Sequence, residues 1–128
     1  MTIMEKLENY LLELGMLYEK KAENLWIVSD EAKGLQSLII SLDGPVIALR
    51  VTLMAIPDKN RENFYKTLLT LNATDLIHGA YGLDGNNVVW IDTLEGETLD
   101  LLELQASLDA VSLALSQHYK KLAEYRNK

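Results

Sequence analysis

Hydrophobic residues recur at steps of three and four in three parts of the chain, and this spacing predicts three helices. The first helix follows Thr2, where Glu5 completes a capping-box spacing, and ends near Gly15. The second follows Asp58, a residue that is common at the N-cap position. The third runs from Thr98 to the end of the chain, about 28 residues or roughly 40 Å at the rise of an α-helix. It is amphipathic throughout, and we expect it to pack on a sheet.

Short runs rich in β-branched and aromatic residues predict five strands. The run "LWIVS" at 25–29 is the first. The runs "LQSLIISL" and "VIALRVTLMA" flank Asp43-Gly44-Pro45 and predict a hairpin, and "LIHGAYGL" and "NNVVWID" flank Asp84-Gly85 and predict a second hairpin. The sequence therefore predicts a single α+β domain over residues 1–128. Its antiparallel sheet has about five strands, its three helices follow the order α-β-β-β-α-β-β-α, and the C-terminal helix is long.

The first hairpin has a predictable register. Pro45 has no N–H to close a tight turn, so we expect a loop of about four residues with Ser41 opposite Val46. Alternation then directs one set of side chains toward the helices: Ile47, Leu49, Val51 and Leu53.

The other face of this sheet is a candidate binding surface for a partner protein. The alternation directs Ile39, Arg50 and Thr52 away from the helices, while the sequence leaves the faces of Trp26, Val28 and Trp90 open. Tryptophans on a half-covered sheet anchor partners well because their rings are large and amphipathic. The alternative is that both tryptophans fill the core.

The middle helix has a wider apolar surface than one contact needs. Phe64, Leu68 and Leu71 form one stripe, and Tyr65 and Leu69 lie beside it. This width indicates that the helix packs on its own sheet and also on a second subunit.

The stretch "LNATDLIHGAYGLDGNN" at 71–87 brings together residues that could form a metal loop or a catalytic corner. We favour a structural role. Asn72 is expected to end the second helix, and Gly79 and Gly82 to give room to a bulky neighbour such as Trp90. A metal at His78 is not expected, because no further histidine or cysteine stands at a ligand spacing.

No catalytic motif accompanies these elements. The chain contains no Gly-x-Gly-x-x-Gly, no phosphate-binding Walker loop and no Gly-x-Ser-x-Gly elbow. His118 lies on the apolar stripe of the last helix, so we expect a partly buried packing residue or a dimer contact rather than a base. Paired carboxylates remain possible in an acidic protein, but the sequence singles out no pair, so we name no catalytic residue and expect no metal or cofactor.

Charge and composition restrict the partners further. The net charge is −7, and no Lys or Arg occurs between Lys66 and Lys120. Such an acidic chain repels phosphate backbones, so a nucleic-acid partner is not expected. The acidic half is either a solvated surface or a face for a basic partner. The absence of cysteine, of a long apolar run and of a basic N-terminal start predicts a cytoplasmic protein that does not interact with membranes.

Several segments together resemble the type III secretion chaperone-like superfamily, in its Tir chaperone (CesT-type) or YbjN-type group. They are "LLELG" closing the first helix, "SLIISLDGPVIALRVTLMAIP" as a hairpin, "LLTLNA" closing the second helix, and "GAYGLDGNNVVWIDTLEGETLDLLELQASLDAV" as the second hairpin and long helix. The resemblance covers nearly the whole chain.

The resemblance implies a non-enzymatic homodimer that holds an extended segment of a client protein, often by extending the sheet. In that superfamily the middle helix commonly forms the dimer interface, which here implies Phe64, Tyr65, Leu68 and Leu69. The YbjN-type members share the fold without an assigned secretion partner. They imply the alternative function, a regulatory domain that senses a small ligand or acts with a signalling partner.

Overall fold

Three helices and six strands make up the fold in the computed structural model, which describes residues 1–30 and 35–126. In chain order they are α1 (Ile3–Glu13), β1 (Leu17–Ala22), β2 (Leu25–Asp30), β3 (Leu35–Asp43), β4 (Val46–Ala55), α2 (Arg61–Thr74), β5 (Ala80–Asp84), β6 (Asn87–Glu95) and α3 (Leu101–Ala123). The strands form one antiparallel sheet in the order β1-β2-β3-β4-β6-β5. The α+β class, the three helices and the long C-terminal helix are confirmed.

The sheet has six strands rather than the predicted five, because β1 was not recognised. This strand pairs with β2 at the edge of the sheet, and five of its six residues are exposed. Its central residues Glu19, Lys20 and Lys21 are charged. An edge strand that buries so little has no alternating apolar pattern by which the sequence would identify it.

The turn of the first hairpin is shorter than predicted. Asp43 pairs with Val46, so the turn contains only Gly44 and Pro45, and Ser41 lies opposite Ala48. The prediction of a longer turn was wrong because Val46, the residue after the two-residue turn, can donate the closing hydrogen bond that Pro45 cannot. Gly44 supplies the positive φ of +58° that the turn requires. The error is two positions in register, so the same side chains still face the helices.

One face of the sheet is covered by all three helices, and the core lies between them. Ile47, Leu49 and Val51 point into this core as predicted. Its largest fully buried side chains are Trp26, Trp90, Phe64, Leu7, Leu11, Leu38, Ile40, Ile47, Leu49, Leu104 and Leu108.

Two helices begin with capping boxes. Thr2 and Glu5 form the predicted box of α1, and Asp100 and Glu103 form a second box at α3, so α3 begins a few residues later than predicted. The prediction for α2 was wrong: the helix begins at Arg61 and its N-cap is not Asp58. None of the helices in the described part of the chain is long and apolar enough to cross a membrane.

Candidate partner-binding site

The side of the sheet opposite the helices carries a row of four apolar residues and one arginine that crosses five strands. Ile27, Ile39, Arg50, Ile91 and Ala80 lie next to one another in register on β2, β3, β4, β6 and β5. We call this side of the sheet the open face. Its rows include Leu25, Ile27, Ile39, Val46, Ala48, Arg50, Thr52, Val89 and Ile91. No helix of the described chain packs on it, and the side chain of Ile39 is 37% exposed.

An ion pair crosses the open face above β6. Arg50 Nη1 on β4 lies 2.8 Å from Asp84 Oδ2 on β5, and Val89 occupies the register position between them. Val89 is only 4% exposed although no helix covers it. The Arg50 side chain therefore covers Val89, and the accessible apolar surface lies toward β2 and β3.

The six residues predicted to bind a partner divide between the two faces. Ile39, Arg50 and Thr52 lie on the open face. Trp26, Val28 and Trp90 are fully buried on the helix-covered face, as in the alternative that the tryptophans fill the core. The indole nitrogen of Trp26 donates a hydrogen bond to Glu8 on α1 (2.9 Å). Only the first three residues can therefore contact a partner on the surface of this fold.

One edge of the sheet is closed by a side chain. Asn72 on α2 accepts a hydrogen bond from the backbone N–H of Tyr81 (2.7 Å) and donates one to its carbonyl (3.0 Å). These two groups belong to β5, the edge strand on this side of the sheet. Asn72 lies inside α2, which ends at Thr74, so the prediction that it ends the helix was wrong. The other edge of the sheet is β1.

The residues predicted for a dimer interface lie partly in the core. Phe64 and Leu68 are buried beneath α2. Tyr65 is half-buried, and Leu69 is 67% exposed on the outer surface of the helix. Residues four apart share one face of a helix, so Tyr65, Leu69 and Ala73 form an outer stripe.

His118 joins three elements through two hydrogen bonds that the sequence does not predict. It is 4% exposed on α3, and its Nδ1 lies 2.7 Å from the hydroxyl of Tyr81 on β5. Its Nε2 lies 3.1 Å from a carboxylate oxygen of Asp75, the residue after α2. A carboxylate can only accept, so Nε2–H donates to Asp75, and in the neutral imidazole Nδ1 then accepts from the Tyr81 hydroxyl. The expectation of a packing residue is confirmed, with a polar role in addition.

The surroundings of this network shift the pKa of the Asp75 carboxyl and that of the Tyr81 phenol. A hydrogen bond from Thr74 and then the one from His118 lower the pKa of Asp75 below its ordinary value, which favours the carboxylate form. Burial, and then the nearby Asp75 charge, raise the pKa of Tyr81, which keeps the phenol protonated. The network therefore joins α3 to β5 and to the end of α2.

The remaining candidates are surface features. His78 is exposed, and within residues 1–30 and 35–126 no three His, Asp or Glu side chains form a group suited to a metal. A groove of about 370 Å³ lies between the end of β4 and the last turns of α3. Leu53, Met54, Leu115 and Tyr119 are among its lining residues, so its walls are largely apolar.

Solved structures with a similar fold include YbjN from E. coli, described as a putative transcription regulator (TM-score 0.66, 13% identity, 91% of each chain covered). A chain of the heterodimeric complex ExoU–SpcU from the type III secretion system of Pseudomonas aeruginosa is also similar (TM-score 0.62, 15% identity, 87% of this chain and 93% of that chain). The HopA1–SchA chaperone–effector complex contains a third (TM-score 0.63, 13% identity, 95% and 91%). At these identities the similarity establishes the fold.

Comparison with curated protein sequences finds no significant match. The sequence model of the CesT_Tir_1 family matches residues 1–128, which is the whole chain. This match agrees with the resemblance to the type III secretion chaperone-like superfamily that the helix-closing segments and the two hairpins carry. The chain therefore belongs to the CesT_Tir_1 family.

Proposed function

We propose that this protein is a non-enzymatic chaperone or adaptor that, as a homodimer, holds an extended segment of a partner protein. The open face carries the proposal, because it presents apolar side chains that the described part of the chain leaves uncovered. One relative in fold comes from a heterodimeric complex of a type III secretion system, and another comes from a chaperone–effector complex. Their similarity supports a protein partner for this chain.

The chemistry of the open face suits an extended segment. Ile27 and Ile39 lie on adjacent strands in one row. Leu25 and Ala48 lie in the next row, where Ser41 of β3 stands between them. A strand directs every second side chain to the same side, so a bound segment can place alternate apolar residues against these rows. Burial of such contacts contributes about 25 cal/mol per Å² of apolar surface.

The edges of the sheet restrict where a segment can add a strand. Asn72 already bonds the backbone N–H and C=O of Tyr81 on β5, so backbone pairing there would displace it. The edge at β1 has no such side chain among the hydrogen bonds of the described residues, and Leu17 at its start is exposed. A segment that extends the sheet is therefore expected beside β1, with its apolar side chains continuing onto the open face.

The outer stripe of α2 is the proposed dimer interface. Leu69 is exposed at its centre, and Tyr65, one turn before it, is half-buried and packs against the core. The stripe lies about 100° around α2 from the core residues Phe64 and Leu68. An isologous contact of two such stripes would bury both copies of Leu69. This assignment keeps the dimer interface separate from the open face, so the dimer could bind two segments.

Peptide selection followed by NMR mapping tests the proposal. Peptides selected from an unstructured library by binding to the protein are expected to shift the amide signals of Ile39 and Ile91. Ile39→Glu should weaken binding about tenfold or more, since it places a charge in the apolar row. Leu102→Glu is the matched control, because Leu102 is 72% exposed on α3, away from the open face. Failure to select any peptide, or signals that shift elsewhere, would contradict the proposal.

A second candidate is a regulatory domain that binds a small ligand, and the groove between β4 and α3 favours it. Its volume of about 370 Å³ and its apolar walls suit a small molecule with one anionic group, since Arg126 lies at its rim. Thermal unfolding with a metabolite collection distinguishes the two functions. Stabilisation by a metabolite that Leu115→Trp abolishes, with no effect of Ile39→Glu, would support this candidate over the first.

A further inference from the structure

The fold brings together the two ends of the acidic interval in the sequence. No Lys or Arg occurs between Lys66 and Lys120, yet Lys66 on α2 and Lys121 on α3 line the same groove. This groove has a volume of about 410 Å³ and separates the outer sides of the two helices. We call it the basic groove. It lies on the helix side of the sheet, away from the open face.

The walls of the basic groove are held by packing and one hydrogen bond. The rings of Phe64 on α2 and Tyr125 after α3 meet edge to face, with centroids 5.2 Å apart. The hydroxyl of Tyr125 lies 3.2 Å from that of Thr67, and Leu71 is buried in the wall. The groove is therefore formed before any ligand binds, which reduces the entropic cost of binding.

The lysines of this region differ from the other cations that the structure describes. Lys6, Lys20, Lys21 and Arg50 each bond a carboxylate or a backbone carbonyl of the same chain. Within the described residues no ion pair is formed by Lys59, Lys66, Lys120 or Lys121. Two of these four lysines, Lys66 and Lys121, line the basic groove.

The charge of the basic groove continues along α2 and the end of α3. An adjoining groove of about 630 Å³ shares Asn63, Glu124 and Tyr125 with it and adds Lys59 and Arg126. Across both grooves four cations face two carboxylates, Asp58 and Glu124. Arg61, which lies 3.9 Å from Asp58, partly neutralises the first of these. The lining of the two grooves is therefore net positive although the chain carries −7, and outside the lining the charge of Lys121 also lowers the pKa of Asp75.

We propose that the basic groove binds a carboxylate-rich segment of a partner protein. The hydroxyls of Thr67 and Thr70 donate to carbonyls of their own helix, so the lysine ammonium groups are the donors for a ligand. Ammonium groups bind carboxylates through charge-assisted hydrogen bonds that weaken with salt. The net charge of the chain repels every anionic ligand, but it repels a nucleic acid more strongly, because phosphate charges are more densely spaced than the carboxylates of a protein segment; a protein segment is therefore favoured. The inference uses a different surface from the proposed function and does not depend on it.

Fluorescence anisotropy with a labelled peptide of alternating Glu and Ser tests this inference at low ionic strength. The wild type is expected to bind it, and the matched Gln–Ser peptide should not bind. Lys66→Gln/Lys121→Gln should weaken binding on the order of tenfold. Lys20→Gln/Lys21→Gln removes the same charge from β1 and should leave binding unchanged, which excludes an effect of net charge alone. Circular dichroism establishes that both double variants are folded.

Four results would overturn the inference. The first is no binding of the Glu–Ser peptide by the wild type, and the second is an equal loss of binding in both double variants. The third is tighter binding of a single-stranded oligonucleotide, lost in Lys66→Gln/Lys121→Gln, which would assign the groove to nucleic acid. Association of the protein with itself at low salt, abolished by the same substitutions, would instead place the chain's own acidic segment in the groove. Light scattering detects that outcome.

Discussion

The side-chain amide of Asn72 pairs with the backbone of Tyr81 as a neighbouring strand would. Its oxygen accepts from the Tyr81 N–H at 2.7 Å, and its nitrogen donates to the Tyr81 carbonyl at 3.0 Å. In an antiparallel ladder every second residue of a strand directs its backbone N–H and C=O away from the neighbouring strand. At the edge strand β5 these two groups of Tyr81 would therefore be unpaired. One side chain thus attaches α2 to the sheet and closes this edge.

Replacing Asn72 by alanine should destabilise the protein by about 1–3 kcal/mol, since the backbone groups of the buried Tyr81 lose their partners. Urea unfolding measures the free energy, and hydrogen exchange of the Tyr81 amide should accelerate beyond the global change. Asn72→Asp keeps an acceptor for the N–H but cannot donate to the carbonyl, so it separates the two bonds. Asn63→Ala, at an exposed position of the same helix, is the control. An equal cost in both alanine variants would show that the bonds to Tyr81 contribute nothing.

Gly79→Ala should destabilise the protein by about 2–4 kcal/mol, from strain and overpacking together. The backbone of Gly79 has a φ of +72°, and a Cβ atom there would lie 2.6 Å from the ring of Trp90. Trp90 cannot move away easily, because its ring is fully buried. Thermal unfolding measures the loss.

Gly82→Ala is the matched control for Gly79→Ala. No atom lies within 4 Å of a Cβ placed at Gly82, so the variant should be neutral or more stable by up to about 1 kcal/mol. The prediction that both glycines make room for a neighbour is confirmed for Gly79 and wrong for Gly82. A comparable loss in both variants would show that the contact with Trp90 is not the cause.

The proposed dimer predicts a mass near twice 14.4 kDa for the wild type in light scattering coupled to size-exclusion chromatography. Leu69→Asp should shift the protein to the monomer, because the substitution replaces the exposed Leu69 by a charged side chain in the apolar interface. Leu113→Asp is the matched control, since Leu113 is 56% exposed on α3 outside the proposed interface. A wild-type monomer would contradict the proposed dimer, and dissociation by both variants would move the interface away from α2.

Sequence periodicity predicted the features of the fold that depend on local burial. The apolar stripe of α3 and the alternation of Ile47, Leu49 and Val51 each follow from one buried face. The register error at Pro45 did not change these faces, because a shift of two residues keeps every side chain on its own side. The edge strand β1 was missed because its exposed residues carry no such pattern.

Contacts between distant residues could not be predicted from periodicity. Asp75 and His118 are 43 positions apart, and only the packing of α3 on the sheet brings them together. The burial of Trp26 and Trp90 required the order of the strands, since both faces of a strand are equivalent in sequence until its neighbours are known. Similarly, the basic groove appears only when α2 and α3 are placed side by side.

Asp75 should contribute a pH-dependent part of the stability. Its folded pKa lies below the ordinary value of 3.8 because Thr74 and His118 hydrogen-bond to the carboxylate. A lowered folded pKa contributes stability that is complete above the unfolded pKa and is lost as pH falls through the folded one. Asp75→Asn should therefore be less stable than the wild type at neutral pH, and the difference should shrink below about pH 4. Urea unfolding between neutral and acidic pH measures both curves.

Thr74→Ala gives a graded test of the same cause. The Thr74 hydroxyl lies 2.8 Å from Asp75 Oδ1 and is the largest contribution to the lowered pKa. Its removal should leave the smaller contribution of His118, whose Nε2 lies 3.1 Å from Oδ2. The acid-induced loss of stability should then be intermediate between those of the wild type and Asp75→Asn. Parallel curves for all three proteins would show that Asp75 is equally acidic in the folded and unfolded states, and its bond to His118 would then hold α3 in place without any dependence on pH.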